Sequence, residues 1–444
     1  MKSHTRMNKI ETILANASDT KKLLIGRGVI DRTPEMFATL FPGKRPIIVA
    51  DPTTWRVAGE KLQTLFMQAR LTPDRPYMLD DPHLHAEWCF IEELEAHLKN
   101  TDAIAVAVGS GTINDLTKLV SDHLGRRYMT VGTAASMDGY TAYGASITRN
   151  GAKQTFSCRA PLGFVADINV IATAPKEMTA SGYADLFAKI PAGADWILSE
   201  EIGVEPVDPD SFGVVQGELK SALGSPEALA EGNFGALHSL IEGLLMGGFA
   251  MQIHKSSRPA SGAEHQFSHL WNMEHHRMAD ATVPSHGFQV SIGTIMSTAL
   301  YEQFLAEDFS NLDVESCVAD WPTLEEQIEV SREMFRNTDF PTIGVTELTA
   351  KYATPDELRR QLTALRDNWS RIQARIYEQI VPLAEVRRRL ALVGAPVRPE
   401  QIGISRERLR RSAIRAQQIR RRFTILDIAV RTGKLEKWLD SIFS

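Results

Sequence analysis

Seven of the twelve histidines fall between His238 and His286, a density that neither a core nor a surface origin readily explains. Within that stretch SGAEHQFSH, Ser261 to His269, opens with Ser261 and Glu264 at capping-box spacing, which predicts a helix start. His265 and His269 then stand four residues apart on one face of that helix, so one can bind a metal while the other faces a substrate. VPSHGFQVSIGTI, Val283 to Ile295, sets His286 near the start of a further helix, beside a glycine that leaves room for a ligand. The interval from His265 to His286 is too long for a one-helix motif such as HExxH, so a metal has to be held between helices. His238, His254, His275 and His276 lack such a setting and are read as structural.

A third ligand must come from elsewhere. ASGYADLFAKIPAGADW, Ala180 to Trp196, supplies Asp185 among small and oily residues, four positions ahead of Lys189. A carboxylate there is costly unless it is paired or bound to a cation. One carboxylate and two imidazoles leave a coordination position open, the arrangement of a catalytic metal that polarises a carbonyl. Zinc is the expected ion, and nickel or iron suits the same donors.

A second constellation is built for an anion. AIAVAVGSGTINDLTKLVSDHL, Ala103 to Leu124, places a buried strand before Gly109, Ser110 and Gly111 and an amphipathic helix after them. The glycines allow a sharp turn and a close approach, and the helix start offers N–H groups and a positive dipole end to a pyrophosphate. The segment is not GxGxxG, and a tight turn without a ligand would look the same. Asp51, at the end of another strand, could accept hydrogen bonds from a ribose diol and so favour NAD over NADP; it could equally cap the helix that follows.

The elements that must carry these residues change character along the chain. Over the first 175 residues short apolar runs alternate with helical stretches, as in a parallel sheet covered by helices. Strands are expected at Arg45–Asp51, Pro76–Leu79, Ala103–Val108, Tyr128–Thr133 and Gly163–Pro175, with helices near Val57–Ala69 and Ala86–Lys99. Beyond Pro175 helical periodicity dominates. The expected division is an α/β Rossmann-like dinucleotide-binding domain over residues 1–175 and an all-α metal and substrate domain over 176–444, with the active site in the cleft between them and the break near 172–177.

The 444 residues, 43% apolar and 23% charged, can bury large cores, and a net charge of −6 gives no bulk attraction to nucleic acid or anionic membrane. Cys89, Cys158 and Cys317 are odd in number and widely spaced, which fits a reducing cytoplasm better than a disulfide framework. The polar first residues carry no secretion signal, and the oily stretch Gly243–Ile253 is short for a membrane span. SRERLRRSAIRAQQIRRRF, Ser405 to Phe423, holds eight arginines against one glutamate. Leu409, Ile414, Ile419 and Phe423 recur at roughly helical spacing, so a solvated helix face is favoured over a nucleic-acid surface.

The segments GSGTIND, VGTAASMDGYTAYGASI, ASGYADLFAKIPAGADW, RPASGAEHQFSHLW and PSHG occur in an order that resembles the glycerol-1-phosphate dehydrogenases, archaeal and bacterial AraM-like. These belong to the superfamily of iron-type alcohol dehydrogenases and dehydroquinate synthase. The resemblance runs from about Asp51 to Ile295 and is most specific in RPASGAEHQFSHLW and TAASMDG. It implies that Gly109, Ser110, Gly111 and Thr112 hold the pyrophosphate of NAD or NADP, and that Thr133, Ala134, Ala135 and Ser136 line the nicotinamide side. It implies further that Asp138 and His269 contact substrate, while Asp185, His265 and His286 bind one divalent metal, with Asp185 also within reach of substrate.

The implied partner is a small phosphorylated ketone or alcohol, handled by a cytoplasmic homo-oligomer. Arg258 and Lys189 are weaker candidates for its phosphate. Ala142 stands where the archaeal pattern has a serine that contacts cofactor, and no motif is matched beyond about residue 300. A polyol dehydrogenase or an NAD-using sugar-phosphate cyclase of the same superfamily is the nearest rival; the cyclase would be expected to use a glutamate in place of Asp185. A non-catalytic nucleic-acid-binding protein is a distant one.

Overall fold

The computed structural model describes residues 11–81, 84–149 and 152–444. Strands β1 (Lys22–Gly26), β2 (Pro46–Ala50), β3 (Tyr77–Met78), β4 (Ile104–Gly109), β5 (Met129–Gly132) and β8 (Gly163–Asp167) form one sheet in the order β1-β8-β5-β4-β2-β3. Every pairing in it is parallel. Between β5 and β8 a separate antiparallel hairpin joins β6 (Ala145–Arg149) and β7 (Ala152–Phe156). Six helices matter below: α1 (Gly111–His123), α2 (Lys176–Phe187), α3 (Lys189–Glu201), α4 (Phe234–His254), α5 (Ala263–Met273) and α6 (His286–Ala306).

The central strands β2 and β4 are apolar and buried along their length because both faces of the sheet are covered there. Ile47, Val49, Ala105 and Ala107 point to one side and meet Ile91, Leu94, Leu116 and Leu119. Ile48, Ala50, Val106 and Val108, the alternate residues, point to the other and meet Met36, Phe37, Leu62 and Phe66.

One expected strand is shorter than its apolar run. The apolar run Gly163–Pro175 is a strand only to Asp167; Ile168–Ile171 is a helical turn, because the Asp167 side chain caps it by accepting from the N–H of Asn169. The other Asp167 contacts fasten the Gly28–Ile30 turn, through the N–H groups of Gly28 and Ile30. Strand β1 and the β6–β7 hairpin were not expected at all.

Contacts divide the chain into one unit of residues up to Leu186 with Gly213–Ser257, and another of Phe187–Phe212 with Arg258–Ser444. The first holds the sheet, and the second is helical. The expected division at 175/176 followed the change of texture, whereas α4 belongs with the first unit by packing: Thr141 Oγ1 donates to the Leu245 carbonyl at 3.1 Å, and Gln252 Nε2 donates to Thr20 Oγ1 at 2.8 Å. Helix α4 is long and apolar enough to cross a bilayer by length and composition, with 61% of its apolar window buried inside the protein.

Candidate active site

The strand-turn-helix expected around GSG forms as β4, Ser110 and α1, with Ser110 at the N-cap in an extended conformation and its side chain capping nothing. Thr112 follows in the first turn of α1, whose N–H groups are therefore left to a ligand or solvent. Both glycines answer to close contacts. A Cβ on Gly109 would lie 2.6 Å from Ile113 Cβ, and one on Gly111 would lie 2.7 Å from Met137 Cε.

Gly109 is paired with Gly132 at the ends of β4 and β5, and the Thr133 N–H donates to the Gly109 carbonyl at 3.1 Å. The loop Thr133–Asp138 thus leaves the sheet beside the anion turn, at the carboxyl ends of parallel strands where nucleotides bind in such folds.

Three contacts fasten this loop to α2. Ser181 Oγ donates to the Ser136 carbonyl at 3.2 Å, and the Asp138 N–H donates to Asp185 Oδ2 at 3.0 Å. Between them Gly182 lies so close that a Cβ would sit 1.9 Å from the Ala135 carbonyl oxygen. Asp185 is completely buried. Beyond the loop, the buried Lys118 of α1 donates its ammonium to the carbonyls of Gly139, Ala142 and Gly144 at 2.9, 3.1 and 2.9 Å. Gly247 of α4 makes room for Asp138, since a Cβ there would lie 3.1 Å from Asp138 Oδ2.

In the helical unit, α5 carries His265 and His269 and α6 begins at His286. Gly293 lets the two helices meet, as a Cβ on it would lie 2.2 Å from the Glu264 carbonyl oxygen. The imidazole centroids of His265 and His286 are 5.3 Å apart, and those of His265 and His269 are 6.4 Å apart.

The Nδ1 atom of each of His265 and His286 has a partner close by. His265 Nδ1 lies 2.8 Å from Glu264 Oε1, and His286 Nδ1 lies 3.4 Å from Ser268 Oγ. The Ser268 hydroxyl gives its own proton to Gln289 Oε1 at 3.2 Å, so His286 is the donor in its contact. An acceptor at Nδ1 favours the tautomer protonated there, in which Nε2 is the nitrogen that can bind a metal.

The capping box expected from Ser261 and Glu264 is displaced: the N-cap is Gly262, and Glu264 Oε1 accepts from its N–H at 2.6 Å. Asp195 of α3 supports the same turn. Its Oδ2 accepts from the Ala263 N–H at 2.7 Å, while Oδ1 accepts from the Ile425 N–H at 2.7 Å and the Tyr301 hydroxyl at 2.6 Å. Burial, with the Glu264 charge second, pushes the Asp195 carboxyl up to about 7. Of the three expected metal ligands, Asp185 belongs to the first unit, and His265 and His286 belong to the helical one.

The profile of the iron-containing alcohol dehydrogenases matches residues 24–175. A glycerol-1-phosphate dehydrogenase [NAD(P)+] of Halalkalibacterium halodurans is 34% identical over 291 residues, 63% of this chain and 70% of the relative. The chain belongs to the glycerol-1-phosphate dehydrogenase family. It is thereby an NAD(P)-dependent oxidoreductase. The family enzyme of Bacillus subtilis is 30% identical, with 75% of this chain and 88% of the relative covered. In fold the chain is similar to an iron-containing alcohol dehydrogenase from Corynebacterium glutamicum, with a TM-score of 0.60, 14% identity and coverage of 96% of this chain and 98% of the other.

Within this family member, the remaining sequence candidates have other engagements. Asp51 caps the turn after β2, its Oδ1 accepting from the N–H groups of Thr53 and Thr54 at 2.7 and 2.8 Å, which leaves Oδ2 outside the cap. Arg258, 2% exposed, lies 2.9 Å from Glu205 and donates to the carbonyls of Phe423 and Asp195, as a loop anchor does. Lys189 is completely buried. His238, His254, His275 and His276 have local partners in Glu242, Ser256, Asp339 and the Ile402 carbonyl.

The Ser405–Phe423 segment is a helix over Arg406–Ala416 that buries Leu409, and Ile419 and Phe423 are buried beyond it. Its Arg408 and Arg415 pair with Glu274, Arg410 with Glu436 and Asp440, and Arg421 with Glu347. Sequence reading missed Lys118 and Gly182, whose partners are backbone carbonyls distant in the chain.

Proposed function

We propose that the protein reduces C2 of dihydroxyacetone phosphate to sn-glycerol 1-phosphate, reversibly, with NAD(P)H and one divalent metal held by Asp185, His265 and His286. The observation that carries the reading is the donor set itself: a buried carboxylate and two imidazoles whose Nδ1 atoms are already committed to Glu264 and Ser268. Such a set presents two neutral nitrogens and one negative oxygen, which suits zinc and also nickel or iron. When bound, the dinucleotide supplies a hydride and the metal draws charge from the carbonyl oxygen.

The chain's own residues would do the rest. Gly109, Ser110, Gly111 and Thr112 offer the pyrophosphate a glycine turn and a helix start without a side-chain cap. Thr133, Ala134, Ala135 and Ser136 form the loop beside that turn, held against α2 through Ser136 and Ala135, and would present its surface to the nicotinamide. Asp138 and His269 would orient the substrate hydroxyl groups and relay the proton that the alkoxide takes up. Asp51 Oδ2, outside its cap, would meet the ribose of NAD.

The test is the stereochemistry and chemical class of the product. Incubation with dihydroxyacetone phosphate and NADH is expected to yield sn-glycerol 1-phosphate alone, by chiral analysis. The 3-phosphate enantiomer, or turnover of unphosphorylated polyols only, would move the assignment to another reaction of the superfamily.

A further inference from the structure

Glu264 is fully buried at the start of α5, where a carboxylate loses its hydration and needs donors in return. Two donors converge on one of its oxygens: the Gly262 N–H at 2.6 Å and His265 Nδ1 at 2.8 Å. The first ties the carboxylate to the backbone of the helix start, whose positive end favours it. The second then leaves the imidazole little freedom. Room for this arrangement depends on Gly262, because a Cβ there would lie 2.9 Å from Glu264 Oε2 and 2.3 Å from Asp195 Oδ2.

We propose that Glu264 is the positioning residue of the metal site, accepting the Nδ1 proton of His265 so that Nε2 faces the cation in a fixed orientation. The proposal rests on the reading of His265 as a metal ligand. A carboxylate behind an imidazole makes the opposite nitrogen a stronger donor, and loss of such a partner typically weakens metal binding about 10- to 100-fold. His286 has a weaker support, a neutral hydroxyl at the longer distance of 3.4 Å. The two imidazoles are therefore unequal, and Glu264 governs the tighter one.

The experiment is zinc affinity, measured on the full-length protein by competition with a chromophoric chelator, together with the visible spectrum of the cobalt-substituted form. Wild type is compared with His265→Ala, Glu264→Gln, Glu264→Leu and Ser268→Ala, and the thermal unfolding of each metal-free protein is recorded. Glu264→Leu is expected to weaken zinc binding about 10- to 100-fold and to shift the cobalt bands. Glu264→Gln keeps an acceptor for Nδ1 but not the charge, and is expected to fall between Glu264→Leu and wild type. Ser268→Ala should lose less than Glu264→Leu.

Wild-type affinity and an unaltered cobalt spectrum in Glu264→Gln and Glu264→Leu, with no binding by His265→Ala, would overturn the proposal and leave the metal site standing. Undiminished binding by His265→Ala would instead remove the metal reading on which it rests. Should Glu264→Leu fail to fold, Glu264→Gln decides alone: weakened binding supports the proposal and unchanged binding overturns it.

Discussion

The N–H of Asp138 donates to Oδ2 of Asp185 at 3.0 Å, so the TAASMDG loop and the buried carboxylate of α2 are joined through the main chain of one and the side chain of the other. An amide at position 185 would keep an acceptor for that N–H while removing the charge. Asp185→Asn is therefore expected to lose metal affinity by about 100-fold or more with little change in unfolding temperature, whereas Asp185→Ala should also lose about 1–3 kcal/mol of stability by stranding the donor. Metal content after dialysis and calorimetric unfolding, measured side by side, separate the two effects.

Gly182 is the point where α2 touches the loop, and its missing Cβ would stand 1.9 Å from the Ala135 carbonyl oxygen. Backbone cannot move aside as a side chain can. Gly182→Ala should cost about 1–3 kcal/mol and raise the dissociation constant for NADH by displacing the loop. Gly111→Ala meets only the flexible end of Met137, at 2.7 Å, so its stability cost should be smaller. Unfolding curves and NADH fluorescence titrations of both variants check the order.

Lys118 holds three carbonyls of the turn that follows Asp138, and its ammonium lies 3.4 Å from Asp115. Lys118→Met keeps the bulk but leaves those acceptors without their donor, and an expected loss of about 3 kcal/mol follows from the unpaired groups. Urea unfolding measures it; a variant as stable as wild type would show that the turn is held by other means.

His276 provides a pH dependence of defined sign. Burial first, and the Arg408 charge with it, hold its imidazole below the ordinary 6.5, while the Ile402 carbonyl bond and the Glu274 charge act the other way. Its Nε2–H donates to the Ile402 carbonyl at 2.6 Å and its Nδ1 accepts from Arg408 at 2.8 Å, which suits the neutral ring. The unfolded chain takes up a proton near pH 6.5, and the folded one only at lower pH. The stability contributed by the neutral ring is thus complete above about 6.5 and declines as pH falls through the folded value. Unfolding temperatures at pH 7.5 and 5.0 should differ less in His276→Gln than in wild type.

Local patterns made part of this molecule legible in its sequence. The short apolar runs of β2 and β4 exposed the sheet, and the glycines of GSG exposed the turn, because both signals act over a few residues. Helix periodicity set His265 and His269 on one face and called for a partner on another helix, while the choice of His265 over His269 rested on the resemblance. What stayed hidden depends on contacts between distant segments. Gly182 reads as a helix glycine until Ala135 is beside it, and Lys118 reads as a surface lysine until three carbonyls surround it. The strand expected through Pro175 overran because an apolar run does not distinguish β8 from the helical turn capped by Asp167. Glu264 was read as a cap, and its bond to the Gly262 N–H keeps that sense while its contact with His265 Nδ1 adds another.

NADH oxidation by the purified protein, with dihydroxyacetone phosphate and with free dihydroxyacetone, before and after chelation, bears most directly on the central claim. The account predicts stoichiometric oxidation with the phosphorylated ketone, abolished by the chelator and restored by a divalent metal. Undiminished activity in the metal-free protein, or oxidation with the free ketone alone, would contradict it.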